Sequence, residues 1–369
     1  MKRWNIGWGI TSECNFECDF CYSKYTREKA FDLKYEDWIN FIDNNNNKIN
    51  AINFGTGENT LNDDWYKLII YIRNKYPNIK QSLTTNGSLI QKIENDKYLY
   101  DIILKSIDEI DVSLDFCDKE KYNRFRNHEQ AYKWANNTLL FCKEKNIKST
   151  IVFVGCKATF DKKNIDGLFD IAKIYNSIIR MNIFRPMEGI NEFYQKYILE
   201  PNDIIELLYY VFEKYEIISI GDSLFSAILS DSFYEDPSGI SSLRILPNGN
   251  ITPSTYLISQ DYVVGNIKKN TLHELEKNKK VETIISPIIP HECSNCIYIA
   301  RCKGGVYDRR YLWYGTLEKK DPYCFIKKNE IYKKIIVHDS DFESIHLNYL
   351  PTIFFRNPKI NLESLKELA

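Results

Sequence analysis

Six short runs rich in Ile, Val, Phe and Leu, at 4–11, 50–55, 79–84, 109–114, 149–154 and 178–184, alternate with longer stretches of helical periodicity. Runs this apolar suit strands buried on both faces, and strands alternating with helices pair in parallel through crossover connections. Trp65, Leu68, Ile69 and Ile72 share one helical face, and Leu168, Ile171, Ala172 and Tyr175 another. Trp134, Leu139, Leu140 and Cys142 mark a third, more loosely. The fold class is therefore α/β, and the pattern leaves both a doubly wound sheet and a partial βα barrel open. In either fold the working loops lie at the C-terminal ends of the strands. Residues just after the first run stand where a site belongs.

Those residues are Cys14-Asn15-Phe16-Glu17-Cys18-Asp19-Phe20-Cys21, with three thiols in eight positions. Three thiolates hold three corners of a four-iron four-sulfur cubane and leave the fourth iron open, as a reactive cluster needs. The bland alternative is a zinc loop short of one ligand. A second set, Cys293, Cys296, Cys302 and Cys324, offers the four donors of a closed site. Its spacing alone does not separate zinc from a fully ligated cubane. No signal-peptide-like or membrane-spanning apolar run precedes or follows these sets, so a cytoplasmic, reducing location is expected. Ten cysteines in such a compartment point to metal or redox chemistry rather than to disulfides. The 49 basic and 50 acidic side chains nearly cancel, which argues against nucleic acid as the main partner.

Composition divides the chain into 1–200, the alternating region, and 201–236, a linker region with a helix after Pro201. Residues 237–326 form a turn-rich, cysteine-bearing unit, and 327–369 a tail whose Ile335, Ile336, Val337, Leu350, Ile353, Phe354 and Phe355 are expected to pack on the body. Asp43 and the run Asn44 to Asn47 read as a polar loop before the second strand.

Cys-x3-Cys-x2-Cys with Phe20 before the third cysteine resembles the signature of the radical S-adenosylmethionine (SAM) superfamily. The resemblance implies a partial (βα)6 TIM-like barrel over about residues 4–190. It also implies that SAM chelates the open iron and that its reductive cleavage yields a 5′-deoxyadenosyl radical, which takes a hydrogen atom from the substrate. Three further segments are similar to family motifs, in order. Phe54-Gly55-Thr56-Gly57-Glu58-Asn59 resembles a Gly-Gly-Glu-Pro segment, with Thr56 and Asn59 departing from it; Thr85-Asn86-Gly87 and Ser113-Leu114-Asp115 follow, then Arg126. By resemblance, Phe20, Gly57, Glu58, Asn86, Ser113 and Arg126 bind the cofactor, and Arg126 meets its carboxylate.

The second cysteine set resembles the SPASM extension of peptide- and protein-modifying radical SAM enzymes, which normally carries two auxiliary clusters. Ser254 and Val306 stand where two of its cysteines belong, so the resemblance implies that an outer 4Fe–4S cluster is kept on Cys293, Cys296, Cys302 and Cys324 and an inner one lost. Thr255 stands where sulfatase-maturing members carry an Asp, which counts against that activity. Of the spare thiols, Cys142 reads as core, whereas Cys117 and Cys156 follow the fourth and fifth strands and are candidate hydrogen-atom donors. Arg180 and Arg185 read either as a grip on substrate or as solvated rim charge.

The expected activity is hydrogen abstraction from a peptide or protein, as in ribosomal peptide epimerisation or cross-linking. A flavodoxin or ferredoxin would supply electrons. With Cys14 so early, a leader-binding domain is expected on a separate protein or elsewhere. A small-molecule substrate, a sulfatase-maturase-like activity and a non-catalytic zinc or iron–sulfur protein are the alternatives.

Overall fold

The computed structural model describes residues 2–24, 33–187, 189, 191–231, 234, 236–326, 330–338 and 342–358. All six expected strands form: β1 (Trp4–Trp8), β2 (Ile49–Phe54), β3 (Lys80–Thr85), β4 (Glu109–Ser113), β5 (Lys148–Gly155) and β6 (Ile178–Ile183). They pair in parallel in that order, as neighbouring registers show throughout. Between them run α1 (Tyr35–Asn45), α2 (Asp63–Lys75), α3 (Lys97–Ser106), α4 (Ala131–Glu144) and α5 (Lys162–Tyr175), followed by α6 (Pro201–Lys214). Their starts are written locally. Asn62 caps α2 by accepting from the Asp64 and Trp65 amides, Asp161 caps α5, and Pro201 occupies the first turn of α6.

The core faces of α2 and α5 follow the expected stripes, although Tyr175 is only half-buried. On α4 the stripe shifts: Leu140 is 43% exposed, and Ala131, Ala135 and Thr138 complete the buried face with Trp134, Leu139 and Cys142. The small residues let the helix lie close to the sheet, which apolarity alone does not signal. The asparagine run is likewise not a loop. α1 continues through Asn45 into a 3-10 turn at Asn46–Lys48. The Asn45 amide donates to the Phe41 carbonyl at 2.8 Å and its oxygen accepts from the Leu272 amide at 2.7 Å, so the polar side chain is satisfied inside.

The sheet continues past the barrel strands. After α6 come β7 (Glu216–Ile220), β8 (Ser242–Ile245), β9 (Asn250–Thr252), β10 (Gly265–Asn266), α7 (Tyr307–Tyr314) and β11 (Ile353–Arg356). The order is β10-β9-β8-β1-β2-β3-β4-β5-β6-β11-β7. β8 lies parallel to β1, so the cysteine-bearing unit is joined to the barrel by backbone hydrogen bonds. The tail strand β11 inserts antiparallel between β6 and β7. Ile335 and Ile353 to Phe355 are buried with it, while Ile336 is exposed.

Just before β11 the tail enters the barrel interior. The His346 ring is fully buried with Nδ1 2.9 Å from Asp111, which Arg180 also contacts at 2.7 Å. Burial alone would raise the Asp111 carboxyl, but Arg180 and His346 hold it down at about 2. Tyr349 crosses β1 at Gly7, where an added Cβ would lie 1.5 Å from its hydroxyl. No helix among the described residues is long and apolar enough to cross a membrane.

Candidate active site and cluster-binding cysteines

The loop after β1 is tied down by its aromatic residues. Phe16 stacks on His128 with ring centres 4.5 Å apart, and Phe20 stacks on Phe125 at 4.2 Å. Between these anchors the chain turns back on itself, the Cys21 amide donating to the Cys18 carbonyl at 3.2 Å. Cys18 is buried, and Cys14 and Cys21 are half-buried. Burial pushes the Cys18 thiol up to about 12 against the pull of Arg126, and the charges of Cys21 and Cys14 push it the same way. The three thiols therefore lie within one another's field.

The loops after β2, β3 and β4 close around them. Gly57 has φ +61°, and a Cβ there would fall 2.4 Å from the Glu13 carbonyl oxygen, so only glycine allows the two loops to touch. Glu58, fully buried, accepts from the Asn86 amide at 2.8 Å, Thr60 Oγ1 at 2.7 Å and Thr85 Oγ1 at 3.0 Å. Burial raises its carboxyl while these bonds oppose the rise. Its role is to fix the next loop. The Asn86 side chain thereby donates to Asn15 Oδ1 at 2.8 Å and lies 3.8 Å from Cys14 Sγ. Arg126 donates through Nε to Asp115 at 2.6 Å, spreads over the Phe20 ring at 5.0 Å and brings Nη1 to 4.0 Å from Cys18 Sγ. Burial works against its charge, but Asp115, Tyr122 and Cys18 raise its pKa well above the usual value.

Gly57, Glu58, Asn86, Phe20 and Arg126 thus gather at the cysteine loop. Ser113 ends β4 half-buried, and its carbonyl accepts from the Tyr122 hydroxyl. The spare thiols are placed differently. A Cβ on Gly167 of α5 would lie 2.4 Å from Cys117 Sγ, so that thiol is turned against the outer helix. Cys156 is fully buried, with Thr159 Oγ1 3.6 Å from its sulfur and Tyr197 and Asp115 near enough to interact electrostatically. Arg180 and Arg185 are not rim charges: each is buried against an internal carboxylate, Asp111 and Asp308.

The C-terminal thiols are brought together by turns. Cys293 closes a 3-10 turn, the Cys296 amide donates to the Cys293 carbonyl at 3.0 Å, and Cys302 ends the short helix Ile299–Cys302. The chain then reverses at Gly304 and Gly305, both at positive φ; a Cβ on Gly305 would meet Asp321 at 2.3 Å. Asp321 accepts from the Val306 and Tyr323 amides at 2.9 Å, and its carbonyl accepts from the Cys324 amide. Burial raises Cys293 to about 11, with Cys324 and Cys296 adding to the rise. Burial likewise raises Cys302 and Cys324.

Where the lost inner ligands would stand, Ser254 bonds Asp308 at 2.8 Å and Val306 is fully buried. Asp308 in turn pairs with Arg185 at 3.1 Å. Next to it, Arg309 bridges Asp222 at 2.7 Å and Asp321 at 2.6 Å. Sequence reasoning missed this network, along with Asp115, Tyr22 and Arg244. Asp115 lay within the quoted Ser113-Leu114-Asp115 segment, but the others carry no local signal.

Among the described residues, no three His, Cys, Asp or Glu side chains close on one point as a single metal ion would require. What fits clusters here is donor chemistry: soft thiols, three in one set and four in the other, each set gathered within its own mutual field.

Residues 8–164 match the radical SAM superfamily, and residues 238–297 match the SPASM iron–sulfur cluster-binding domain. The Fe-coproporphyrin III synthase of Methanosarcina barkeri is 24% identical over 378 residues, spanning 89% of this chain and 90% of its own. A cysteine-type anaerobic sulfatase-maturating enzyme of Clostridium perfringens is 22% identical over 339 residues, 80% of this chain and 86% of its own. The solved structure of Streptococcus suis SuiB bound to S-adenosylmethionine superposes with a TM-score of 0.71 at 20% identity, covering 88% of this chain and 78% of SuiB. The chain therefore carries a radical SAM domain followed by a C-terminal SPASM domain, a pair that implies S-adenosyl-L-methionine and two 4Fe–4S clusters as cofactors.

Proposed function

We propose that this enzyme abstracts a hydrogen atom from a peptide or protein substrate, in peptide maturation of the epimerising or cross-linking kind. Cys14, Cys18 and Cys21 would hold the catalytic cluster, and Cys293, Cys296, Cys302 and Cys324 the auxiliary one. When bound, the catalytic cluster and S-adenosylmethionine supply hydrogen-atom abstraction at an unactivated C–H bond. The chain's own part is to orient and to exclude water. Asn86 and Arg126 stand against Cys14 and Cys18; Glu58 holds the Asn86 backbone amide and Asp115 the Arg126 guanidinium.

The observation that carries the peptide reading is a groove of about 500 Å³ beside this loop. It is lined by Met187, Leu246, Asn248, Tyr256, Gln260 and Leu312 among others, and none of its described lining residues is charged. Its Tyr256 packs edge-on against Tyr22, which directly follows Cys21, with ring centres 5.4 Å apart. Apolar walls with scattered amides suit an extended chain, whose backbone is neutral and hydrogen-bonding. SuiB, of the same fold, has been solved with its precursor peptide SuiA. A small-molecule substrate is the second reading, favoured by the near full-length similarity to Fe-coproporphyrin III synthase.

Electrons would come from a flavodoxin or ferredoxin, and leader recognition from a separate protein. Cys156, and less directly Cys117, remain the proposed donors that return a hydrogen atom. Replacing both with Ala is expected to stop product formation while cofactor cleavage continues; product from the double variant removes both from the mechanism. The reading as a whole is tested on anaerobically reconstituted protein by iron content, by 5′-deoxyadenosine release under reductant, and by mass change in peptides encoded beside the gene. About eight irons per chain with deoxyadenosine and a modified peptide are expected. Deoxyadenosine without any modified peptide would leave the small-molecule reading standing in its place.

A further inference from the structure

Five arginines are buried among the described residues, and four of them are paired with a carboxylate or held by several carbonyls. Arg180, Arg185 and Arg309 each meet a carboxylate at 2.6–3.1 Å. Arg310 donates to the carbonyls of Lys319 and Ile288 at 2.8 Å, and to that of Leu317. Arg244, on β8, is 1% exposed and faces no carboxylate among the described residues. Its Nη1 donates to the Tyr349 hydroxyl at 3.3 Å and its Nη2 to the Gly55 carbonyl, while Nε has no partner. A buried guanidinium held by one phenol and one carbonyl is an uncompensated charge, which a fold keeps at a cost in stability.

Its surroundings are those of an anion receptor. The Thr255 hydroxyl lies 2.7 Å from the Tyr349 hydroxyl, and the Tyr22 hydroxyl 3.2 Å from Thr56 Oγ1. Each is buried or half-buried, neutral and able to donate. Gly55 directly follows β2, and a Cβ on Gly9 would lie 3.3 Å from Arg244 Nη2, which places the guanidinium at the strand ends that carry the catalytic loop. The groove lies next to this cluster: its Tyr256 packs edge-on against Tyr22, with ring centres 5.4 Å apart. Arg126, the arginine that the superfamily resemblance gives to the cofactor carboxylate, is committed elsewhere, to Asp115 beyond β4.

We propose that Arg244, with the hydroxyls of Tyr349, Thr255 and Tyr22, receives a carboxylate of the substrate. The free Nε offers one arm of the bidentate geometry that carboxylates prefer. The proposal rests on the reading of the chain as a hydrogen-abstracting enzyme and names a chemical class for its substrate: a molecule that carries a carboxylate into the barrel behind a neutral segment. An acidic residue or C-terminus of a peptide has that chemistry, and so does a small polycarboxylate.

The test is thermal unfolding of the anaerobically reconstituted holoenzyme with S-adenosylmethionine. Glutarate is compared with glutaramide and with sodium chloride of matched ionic strength. Glutarate is expected to raise Tm by about 2 °C or more above the two controls in the wild type, and by nothing above them in Arg244→Met. Equal shifts in glutarate and glutaramide, or an undiminished glutarate shift in Arg244→Met, overturn the proposal. Without any carboxylate, Arg244→Met is expected to melt no lower than the wild type, because it removes an uncompensated charge. A clear fall would make Arg244 a structural residue and also overturn the site. Arg244→Lys, which keeps the charge, is expected to retain part of the glutarate shift. A short Glu peptide against its Gln counterpart, and iron-coproporphyrin III against its tetramethyl ester, then identify the source. A tenfold acid preference in either pair supports the site and assigns it, and preference in neither counts against it. These shifts need no turnover, whereas deoxyadenosine release reports on the enzymatic reading alone, so the two can fail separately.

Discussion

The two thiol sets are built in opposite ways. Cys14, Cys18 and Cys21 are close in sequence, yet the side chains around them arrive from the loops after β2, β3 and β4: Glu58, Asn86, Asp115 and Arg126. Cys293, Cys296, Cys302 and Cys324 come from one local segment, braced from below by Asp321 and Arg309. The first set is placed by the whole barrel, and a guanidinium and an amide are aimed at its sulfurs. The second is folded by its own turns. A site whose electrostatics come from many strands is suited to chemistry, and one closed within a single segment to holding that segment together.

Breaking one site at a time puts the largest effect first. Cys18→Ala is expected to lower iron by about four per chain and to abolish 5′-deoxyadenosine release. Cys302→Ala is expected to lower iron equally and to reduce Tm, while deoxyadenosine release per folded chain persists. If a folded Cys302→Ala protein cleaves nothing, the two sites are coupled and the contrast fails.

The next step strikes the brace. Arg309 is fully buried between Asp222, which caps the helix Ser223–Leu229, and Asp321 beside the C-terminal thiols. Arg309→Met leaves two buried carboxylates facing each other without a cation. The expected loss is about 3–5 kcal/mol of unfolding free energy, measured by denaturant titration with clusters loaded. A loss under about 1 kcal/mol would mean that the pair behaves as surface charge and braces nothing.

How much of this was legible follows the same contrast. The strands, the cysteine loop and the Gly57-Glu58 and Asn86 positions were readable because each sits at a strand end with a short motif, whereas Arg126, the last residue of the helix Lys119–Arg126, came from the family resemblance alone. The helical face of α4 was misread because Ala131, Ala135 and Thr138 carry little hydrophobic signal. Asn44 to Asn47 look like a loop until one sees that the buried Asn45 is paired with the Phe41 carbonyl and the Leu272 amide. Arg244, Tyr349 and Asp308 were invisible because their partners lie far off in sequence, at Gly55, Thr255, Arg185 and Ser254. Nothing local announces that the tail will enter the barrel; only Gly7, which makes room for Tyr349, hints at it afterwards.

A buried carboxyl close to Asp308 gives a pH test. Asp236 is buried, accepts from the Ser238 amide at 3.0 Å and leaves Oδ2 without a partner. Burial, with Asp308 close by, raises its carboxyl to about 7. A carboxyl raised on folding contributes stability that is fully present below its unfolded value near 4 and is lost as pH rises through 7. Asp236→Asn removes that loss. The variant is expected to match the wild type near pH 4 and to exceed it by on the order of 1–3 kcal/mol at pH 8, as followed by thermal unfolding across pH. A variant that loses ground as pH rises would show that the carboxylate, not the acid, is the form the fold prefers.

The smallest effect lies back at the catalytic loop, where Thr56 departs from glycine. Thr56 has φ +95°, a conformation that costs a β-branched residue about 1–3 kcal/mol. What offsets it is the bond between Thr56 Oγ1 and the Tyr22 hydroxyl at 3.2 Å, in the neighbourhood of Arg244. A buried threonine normally loses stability when truncated, but here Thr56→Gly trades a hydrogen bond of about 1 kcal/mol for relief of strain. The expected change in unfolding free energy is therefore within about 1 kcal/mol of zero. Gly57→Ala, one residue on, must push a Cβ to within 2.4 Å of a backbone oxygen and is expected to lose more than about 2 kcal/mol. Should Thr56→Gly cost as much as Gly57→Ala, the threonine is packing rather than strain held for Tyr22. The loop would then be shaped by its core contacts alone.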